Sequence, residues 1–235
     1  MDKTDFLAKL IRENGFYFGF FVLFLLVGGI FLSVIEQGDL IFYFSDHRSD
    51  FSNLFFFYFT KLGEELVFIF AFLLLLFVKF RYALTLPLLG FSVSFTSFLS
   101  KKLFAHDRPY LFFREAGLFD QISVVDGVVL NGGANSFPSG HTMAAFALYT
   151  FLALVITRKK GTAIMLFVTA LLVGISRVYL VQHFFKDIYL GAILGLLLAV
   201  LWFYLQGLVG KETGHWLDRS LRTILFKKQN PPGFE

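Results

Sequence analysis

Three separated stretches of this sequence carry polar side chains whose types and spacing could do chemistry. The first is Lys101, six intervening residues, then Arg108-Pro109. The second is Pro138-Ser139-Gly140-His141. The third is Ser176-Arg177, five intervening residues, His183, three more, then Asp187. His183 and Asp187 are four apart, which on a helix places them on one face. A carboxylate accepting from the imidazole fixes its tautomer and stabilises its cation, leaving the other ring nitrogen as nucleophile or base. The plainer alternative is a local stabilising pair at the start of an interfacial helix.

Ser139 and Gly140 stand where an apolar run begins. Free backbone N–H groups and the helix dipole favour an anion there, and a glycine lets the backbone approach it closely. The alternative is a simple N-cap serine after a turn proline. His141 falls in the first turn and could give or take a proton near neutral pH. Lys101, Arg108 and Arg177 supply three cations, the arginines as planar forks that match phosphate oxygens and the lysine as a point charge. Lys102 and Arg114 read instead as side chains snorkelling to a headgroup layer. Arg177 and His183 are six apart and would diverge on one continuous helix. The chain is therefore expected to turn between them, with Arg177 closing one helix and His183 entering the next.

The elements that must position these residues are apolar. Of the 235 residues, 57% are hydrophobic, 35 are Phe and only 16% are charged. Soluble domains carry roughly 45–50% apolar and about 25% charged residues, so this chain needs lipid around it. Its net charge of +4 reads as cationic loops facing the cytoplasm, not as a nucleic-acid surface. With no cysteine, disulfides, thiolate nucleophiles and thiolate metal sites are excluded.

A bilayer core about 30 Å thick needs roughly 20 apolar helical residues. Six segments are predicted to span: 16–35, about 63–78 with a possible earlier start in the aromatic run 54–59, 82–99 with Pro87 inside, 140–157, 162–180 and 187–209. The expected fold is thus an all-α bundle of six transmembrane helices in a single domain, 1–235. It has a polar N-terminal segment 1–14, an outer loop 101–138 and a tail 210–235. The first span lacks a small-residue cleavage site and reads as a retained helix.

Most of the 21 Lys and Arg fall at one end: Lys3, Lys9 and Arg12, Lys79 and Arg81, Arg158 to Lys160, and Lys211, Arg219, Arg222, Lys227 and Lys228. The positive-inside rule puts both termini in the cytoplasm. Parity then brings the three clusters to the opposite, outer face.

In this order and at these spacings, K-x6-R-P, P-S-G-H and S-R-x5-H-x3-D, the clusters resemble the type 2 phosphatidic acid phosphatase superfamily at every motif position. That group includes bacterial lipid phosphatases, glucose-6-phosphatase and the vanadium haloperoxidases. The resemblance implies an integral inner-membrane phosphoric monoester or lipid pyrophosphate hydrolase with no cofactor and no metal. It implies that His183 attacks phosphorus to form a phosphohistidine, that Asp187 orients it, and that His141 protonates the leaving oxygen and then activates water. Lys101, Arg108 and Arg177, with the Ser139 side chain and the Gly140 amide, would hold the phosphoryl oxygens. The implied partner is a lipid substrate: a phospholipid such as phosphatidic acid or phosphatidylglycerophosphate, a polyprenyl pyrophosphate, or lipid A. No nucleic acid is expected, and the sequence carries no signal of oligomeric state. The alternatives are a lipid-to-lipid phosphotransferase using the same site and a non-enzymatic transporter or lipid-binding protein.

Other residues have more than one reading. Glu64 and Glu65 open the second span and suit a helix N-terminus, or could reach the mouth of the site. Asp107 reads as a loop charge and His106 as an exposed loop histidine. Tyr110, Phe112 and Phe113 read as an interfacial aromatic belt. Asn131 to Asn135 reads as turn chemistry that folds the outer loop back.

Overall fold

A computed structural model describes residues 3–156, 160–210 and 215–225. Arg158, Lys159, Lys211, Lys227 and Lys228, used above for orientation, and Thr157, the expected end of the fourth span, lie outside the described residues. The described chain is all-helical. A short polar helix α1 (Lys3–Glu13) leads into α2 (Gly15–Val34). Two short helices, α3 (Asp39–Asp46) and α4 (Asp50–Phe59), and a 3-10 turn (Thr60–Gly63) follow before α5 (Glu65–Leu76). Next come α6 (Phe80–Phe104), α7 (Pro109–Glu115), α8 (Gly140–Val155), α9 (Lys160–Tyr179), α10 (Phe185–Leu208) and the short α11 (Leu221–Leu225).

Among the described residues, four helical stretches are long and apolar enough to cross a bilayer: α2, the run from Phe80 through α6, α9 and α10. The second and fourth expected spans are shorter helices, α5 of 12 residues and α8 of 16. At 1.5 Å rise per residue, α5 is only about 18 Å long. The aromatic run 54–59 does not extend it, because the 3-10 turn separates α4 from α5. Conversely, α6 reaches five residues beyond its expected end, carrying Lys101 on its last turn.

The centre of the bundle is the seam between α8 and α10. Gly191, Gly195 and Ala199 recur every four residues along α10, as close helix approach in a bilayer requires. A Cβ on Gly191 would sit 2.7 Å from the Ser139 carbonyl oxygen. One on Gly195 would meet the Met143 carbonyl oxygen and lie 2.9 Å from the Ala147 nitrogen. Both obstacles are backbone, which cannot rotate away. Gly195→Ala is therefore expected to destabilise the fold by about 1–3 kcal/mol through overpacking, read as a lower thermal unfolding midpoint in detergent.

On one flank, α2 lays Tyr17 and Phe21 against Phe146, Phe167 and Ala170, and the buried Tyr17 hydroxyl pairs with Thr150 Oγ1 at 2.6 Å. On the other, α5 and α6 pack Ala71, Leu75, Leu86 and Leu89 against Met143, Leu148 and Phe151. Outward-facing Leu26, Ile30, Leu66, Phe70, Phe91 and Phe95 are exposed, as suits a surface bathed in lipid.

Contacts between distant segments define two ends. At one, Phe6 meets Phe203 and Tyr204, Lys160 lies over Phe16, and Lys79 and Arg81 bind Asp218. Arg81 also donates to the carbonyls of Gln206 and Val209 at 2.7 and 3.1 Å, satisfying the C-terminus of α10. At the other end, Ser45 pairs with Ser123, and Arg48 donates to the Tyr179 carbonyl at 2.7 Å. The described parts of both termini share the first end, and the three polar clusters occupy the second.

Candidate active site

Five residues separate α9 from α10, so the chain turns after Arg177 as its spacing requires. The Gln182 and His183 amides both donate to the Arg177 carbonyl, at 2.9 and 3.1 Å, and close the turn. His183 does not sit on α10, however: it stands two residues before the helix starts. Its pairing with Asp187 is thus not the shared helix face expected from a spacing of four. Asp187 lies in the first turn, where its Oδ2 accepts the Phe184 amide at 2.9 Å and so caps its own helix. From that position the same oxygen accepts from His183 Nδ1 at 3.2 Å. Asp187 is fully buried and His183 only 2% exposed.

Burial lowers the His183 imidazole from its ordinary 6.5 to about 4, although the hydrogen bond and charge of Asp187 oppose this and Arg108 and Arg177 add to it. Burial also lowers the Arg108 guanidinium, while Asp187 pulls it up. These effects register the closeness of imidazole, carboxylate and both guanidinium groups.

Each cation is held by a different part of the chain. Arg108 precedes α7, with Nε donating to Asn135 Oδ1 at 2.6 Å and Nη1 to the Gln182 carbonyl at 3.3 Å. Arg177, in the last turn of α9, is buried and donates Nη1–H to Thr60 Oγ1 at 2.7 Å. Its Nε has no protein partner among the described residues. Lys101, half-buried at the end of α6, brings Nζ to 3.8 Å from where a Cβ on Gly140 would lie.

The second cluster is tied to the third by the Ser139 amide, which donates to the Asp187 carbonyl at 3.0 Å. Ser139 Oγ is buried and accepts the Thr142 amide at 3.4 Å and the Thr142 hydroxyl at 2.9 Å. Ser139 Oγ therefore caps α8 as an acceptor, and neither of these two bonds uses its own proton. Gly140 and His141 follow on the first turn. They line a cavity of about 690 Å³ together with Lys101, Ser97, Glu64 and Glu65, with Leu66, Val93 and Phe98 as its apolar lining. All eight expected site residues thus belong to one connected cluster, and Glu64 and Glu65 reach its mouth.

Several loop readings change. Phe113 is buried among Ile41, Ile122 and Phe184, with Phe112 packed beside it, so these two face the bundle and not an interfacial belt. Asn131 and Asn135 do more than form turns, since Asn131 donates to Gln182 Oε1 at 3.0 Å and Asn135 holds Arg108. His106 is half-buried, with its ring stacked on Phe137. Sequence reasoning missed Thr60, Asn135 and Ser136, whose hydroxyl donates to Asp187 Oδ2 at 2.5 Å. The only signal was small polar residues beside an aromatic run and just before Pro138.

Known proteins share this pattern. The sequence model described as PAP2 superfamily matches residues 79–210. Phosphatidylglycerophosphatase B of Bacillus subtilis is 46% identical over 71 residues, covering 27% of this chain and 35% of that protein. Lipid A 1-phosphatase of Porphyromonas gingivalis is 34% identical over 84 residues, covering 35% of this chain and 19% of that protein. The matched stretch spans about a third or less of the length of these curated relatives. Among solved structures, Aquifex aeolicus LpxE aligns with a TM-score of 0.60 at 24% identity, over 72% of this chain and 94% of that one. The transmembrane PAP2 type phosphatidylglycerolphosphate phosphatase from Bacillus subtilis aligns at 0.57 and 25% identity, over 83% and 98%. With its apolar helices and these membrane neighbours, the chain is an integral multi-pass membrane protein.

Proposed function

The chain belongs to the PAP2 superfamily, and from that premise we propose that it hydrolyses a phosphate monoester or pyrophosphate on a membrane lipid, without a metal, through a phosphohistidine on His183. With Nδ1–H donated to Asp187, the lone pair of neutral His183 lies on Nε2. That lone pair attacks phosphorus as the bond to the lipid oxygen breaks, and His141 gives the leaving oxygen its proton. Water then attacks the phosphohistidine, returning a proton to His141 while the P–N electrons go back to Nε2 and inorganic phosphate leaves. Lys101, Arg108, Arg177, the Ser139 hydroxyl and the Gly140 amide hold the phosphoryl oxygens as charge develops on them.

One observation carries this reading: a buried imidazole bound to a buried carboxylate stands among three cations, and the Arg177 Nε donor has no partner among the described residues. A buried unpaired donor costs about 1–3 kcal/mol, which a bound phosphoryl oxygen would offset. Cations around the cup also repel a divalent metal ion, and no three His, Asp or Glu gather as ligands among the described residues.

The test is phosphate release by purified protein in detergent with a chelator present, over phosphatidic acid, phosphatidylglycerophosphate, undecaprenyl pyrophosphate and lipid A. A burst of acid-labile, alkali-stable label on the protein from 32P substrate is expected. Release without such an intermediate would remove the phosphohistidine. Label passing to a second lipid would indicate phosphotransfer instead.

The pH profile is a separate check. The attacking form of His183 is neutral and is present above its pKa. Its depressed value of about 4 places the acid limb of kcat/KM near pH 4, well below the 6.5 of an ordinary imidazole. The substrate phosphate itself ionises near pH 6, so a midpoint of about 6 or higher that persists after correction for that ionisation would contradict a buried nucleophile.

We also place the site on the outer face and the termini in the cytoplasm, with all six helices α2, α5, α6, α8, α9 and α10 crossing. The cationic end formed by Arg12, Lys79, Arg81 and Lys160 supports this orientation. The chain has no cysteine, so a single cysteine at exposed Val129 should react with an impermeant maleimide from outside intact cells, and one at exposed Leu225 should not. The reverse pattern would invert the topology.

A further inference from the structure

We propose that Ser136 is a positioning residue for His183, completing a Ser136–Asp187–His183 relay that keeps the imidazole in its Nδ1–H tautomer. The inference rests on the reading of His183 as nucleophile. Ser136 is wholly buried, with Oγ 2.5 Å from Asp187 Oδ2 and 3.3 Å from His183 Nδ1. An ionised carboxylate only accepts, so the Ser136 proton lies toward Asp187. The lone pairs of the hydroxyl then face the imidazole. His183 Nδ1–H stands between two acceptors, Asp187 Oδ2 at 3.2 Å and Ser136 Oγ at 3.3 Å. Both hold the proton on Nδ1, and the lone pair stays on Nε2.

The serine also restrains the carboxylate. Oδ2 takes the Phe184 amide at 2.9 Å and the Ser136 hydroxyl, whereas Oδ1 has no partner among the described residues. Without Ser136, only one backbone donor and the imidazole itself would resist rotation of the carboxylate, and the imidazole would follow it. The Ser136 amide in turn donates to the His106 carbonyl at 2.9 Å, and neighbouring Asn135 orients Arg108. One dipeptide ahead of Pro138 thus sets both a phosphate-facing cation and the nucleophile. None of the three motifs contains it, because its partners are distant in sequence: 51 positions to Asp187 and 47 to His183.

The test combines kinetics with 15N-histidine NMR of the full chain in detergent, the His183 signals being assigned by their disappearance in His183→Gln. The wild type should show the Nδ1–H tautomer. Ser136→Ala should show a mixture containing Nε2–H, with kcat down about tenfold and KM within about twofold, as the loss of one orienting hydrogen bond implies. Ser136→Cys keeps the volume, offers only a weak donor, and should change both readouts in the same direction. It carries the test if the alanine variant does not fold. A kcat within about twofold of wild type in a folded variant, or a slowed variant whose His183 keeps the pure Nδ1–H tautomer, would overturn the proposal. If the wild type releases no phosphate from any lipid, the reading of the activity fails, while the tautomer comparison still tests the relay.

Discussion

His183→Ala should abolish phosphate release from every lipid the wild type accepts, a loss of about 10⁴-fold or more in kcat. The reason is the absence of a substitute. No other side chain among the described residues joins an imidazole to a buried carboxylate: His141 lines the cavity on the first turn of α8, His106 stacks on Phe137, and His47 and His215 bond to nearby backbone. The variant takes one donor from Asp187, whose Oδ2 keeps the Phe184 amide and the Ser136 hydroxyl, and leaves a gap at a buried position, a cost of about 1–3 kcal/mol, so an unfolding scan must accompany the assay. His183→Gln keeps more of the volume and an amide donor for Asp187 and should be equally inactive. Substantial turnover in a folded variant, above about a hundredth of wild type, would remove His183 from the role of nucleophile. Loss of activity with label still accumulating on the protein would point to another residue as the acceptor.

Arg177→Lys is expected to lower kcat/KM by about 10²–10³-fold despite the retained charge, the range seen when one preorganised transition-state donor is lost. Arg177 is buried, one arm is committed to Thr60 at 2.7 Å, and Nε has no partner among the described residues. A guanidinium can hold that anchor and still present a second donor in a fixed plane. An ammonium on a shorter stem cannot do both, and it strands the Thr60 hydroxyl. Thr60→Val separates anchoring from binding. It should leave the charge in place, cost several-fold, and act mainly on kcat by letting the fork swing. Equal and large effects from both substitutions would mean that Arg177 acts through packing. A loss under about threefold for Arg177→Lys would mean that only its charge is read.

Glu64 and Glu65 stand at the start of α5 and line the same cavity as Lys101. Acidic groups there favour the helix start.

The sequence by itself determined which side chains are available for chemistry, and the solvent. Residue types at K-x6-R-P, P-S-G-H and S-R-x5-H-x3-D specify cations, a helix start and an imidazole–carboxylate pair, because each lies within a few residues of its partner. Runs of Phe, Leu and Val specify lipid-facing helices, since hydropathy sums over a local window. The turn after Arg177 was legible for the same reason: a spacing of six cannot keep two side chains on one helical face.

Only the tertiary structure decided which faces meet. Helical periodicity does not say that α8 and α10 approach through Gly191 and Gly195, nor that this approach sets the Ser139 amide on the Asp187 carbonyl. It does not reveal that His183 stands outside its helix and is reached by a carboxylate doing duty as a cap. Thr60, Asn135 and Ser136 carry no local signature. A buried polar group in an apolar bundle must find a hydrogen-bond partner, and for these three that partner is set by long-range packing rather than by neighbouring sequence.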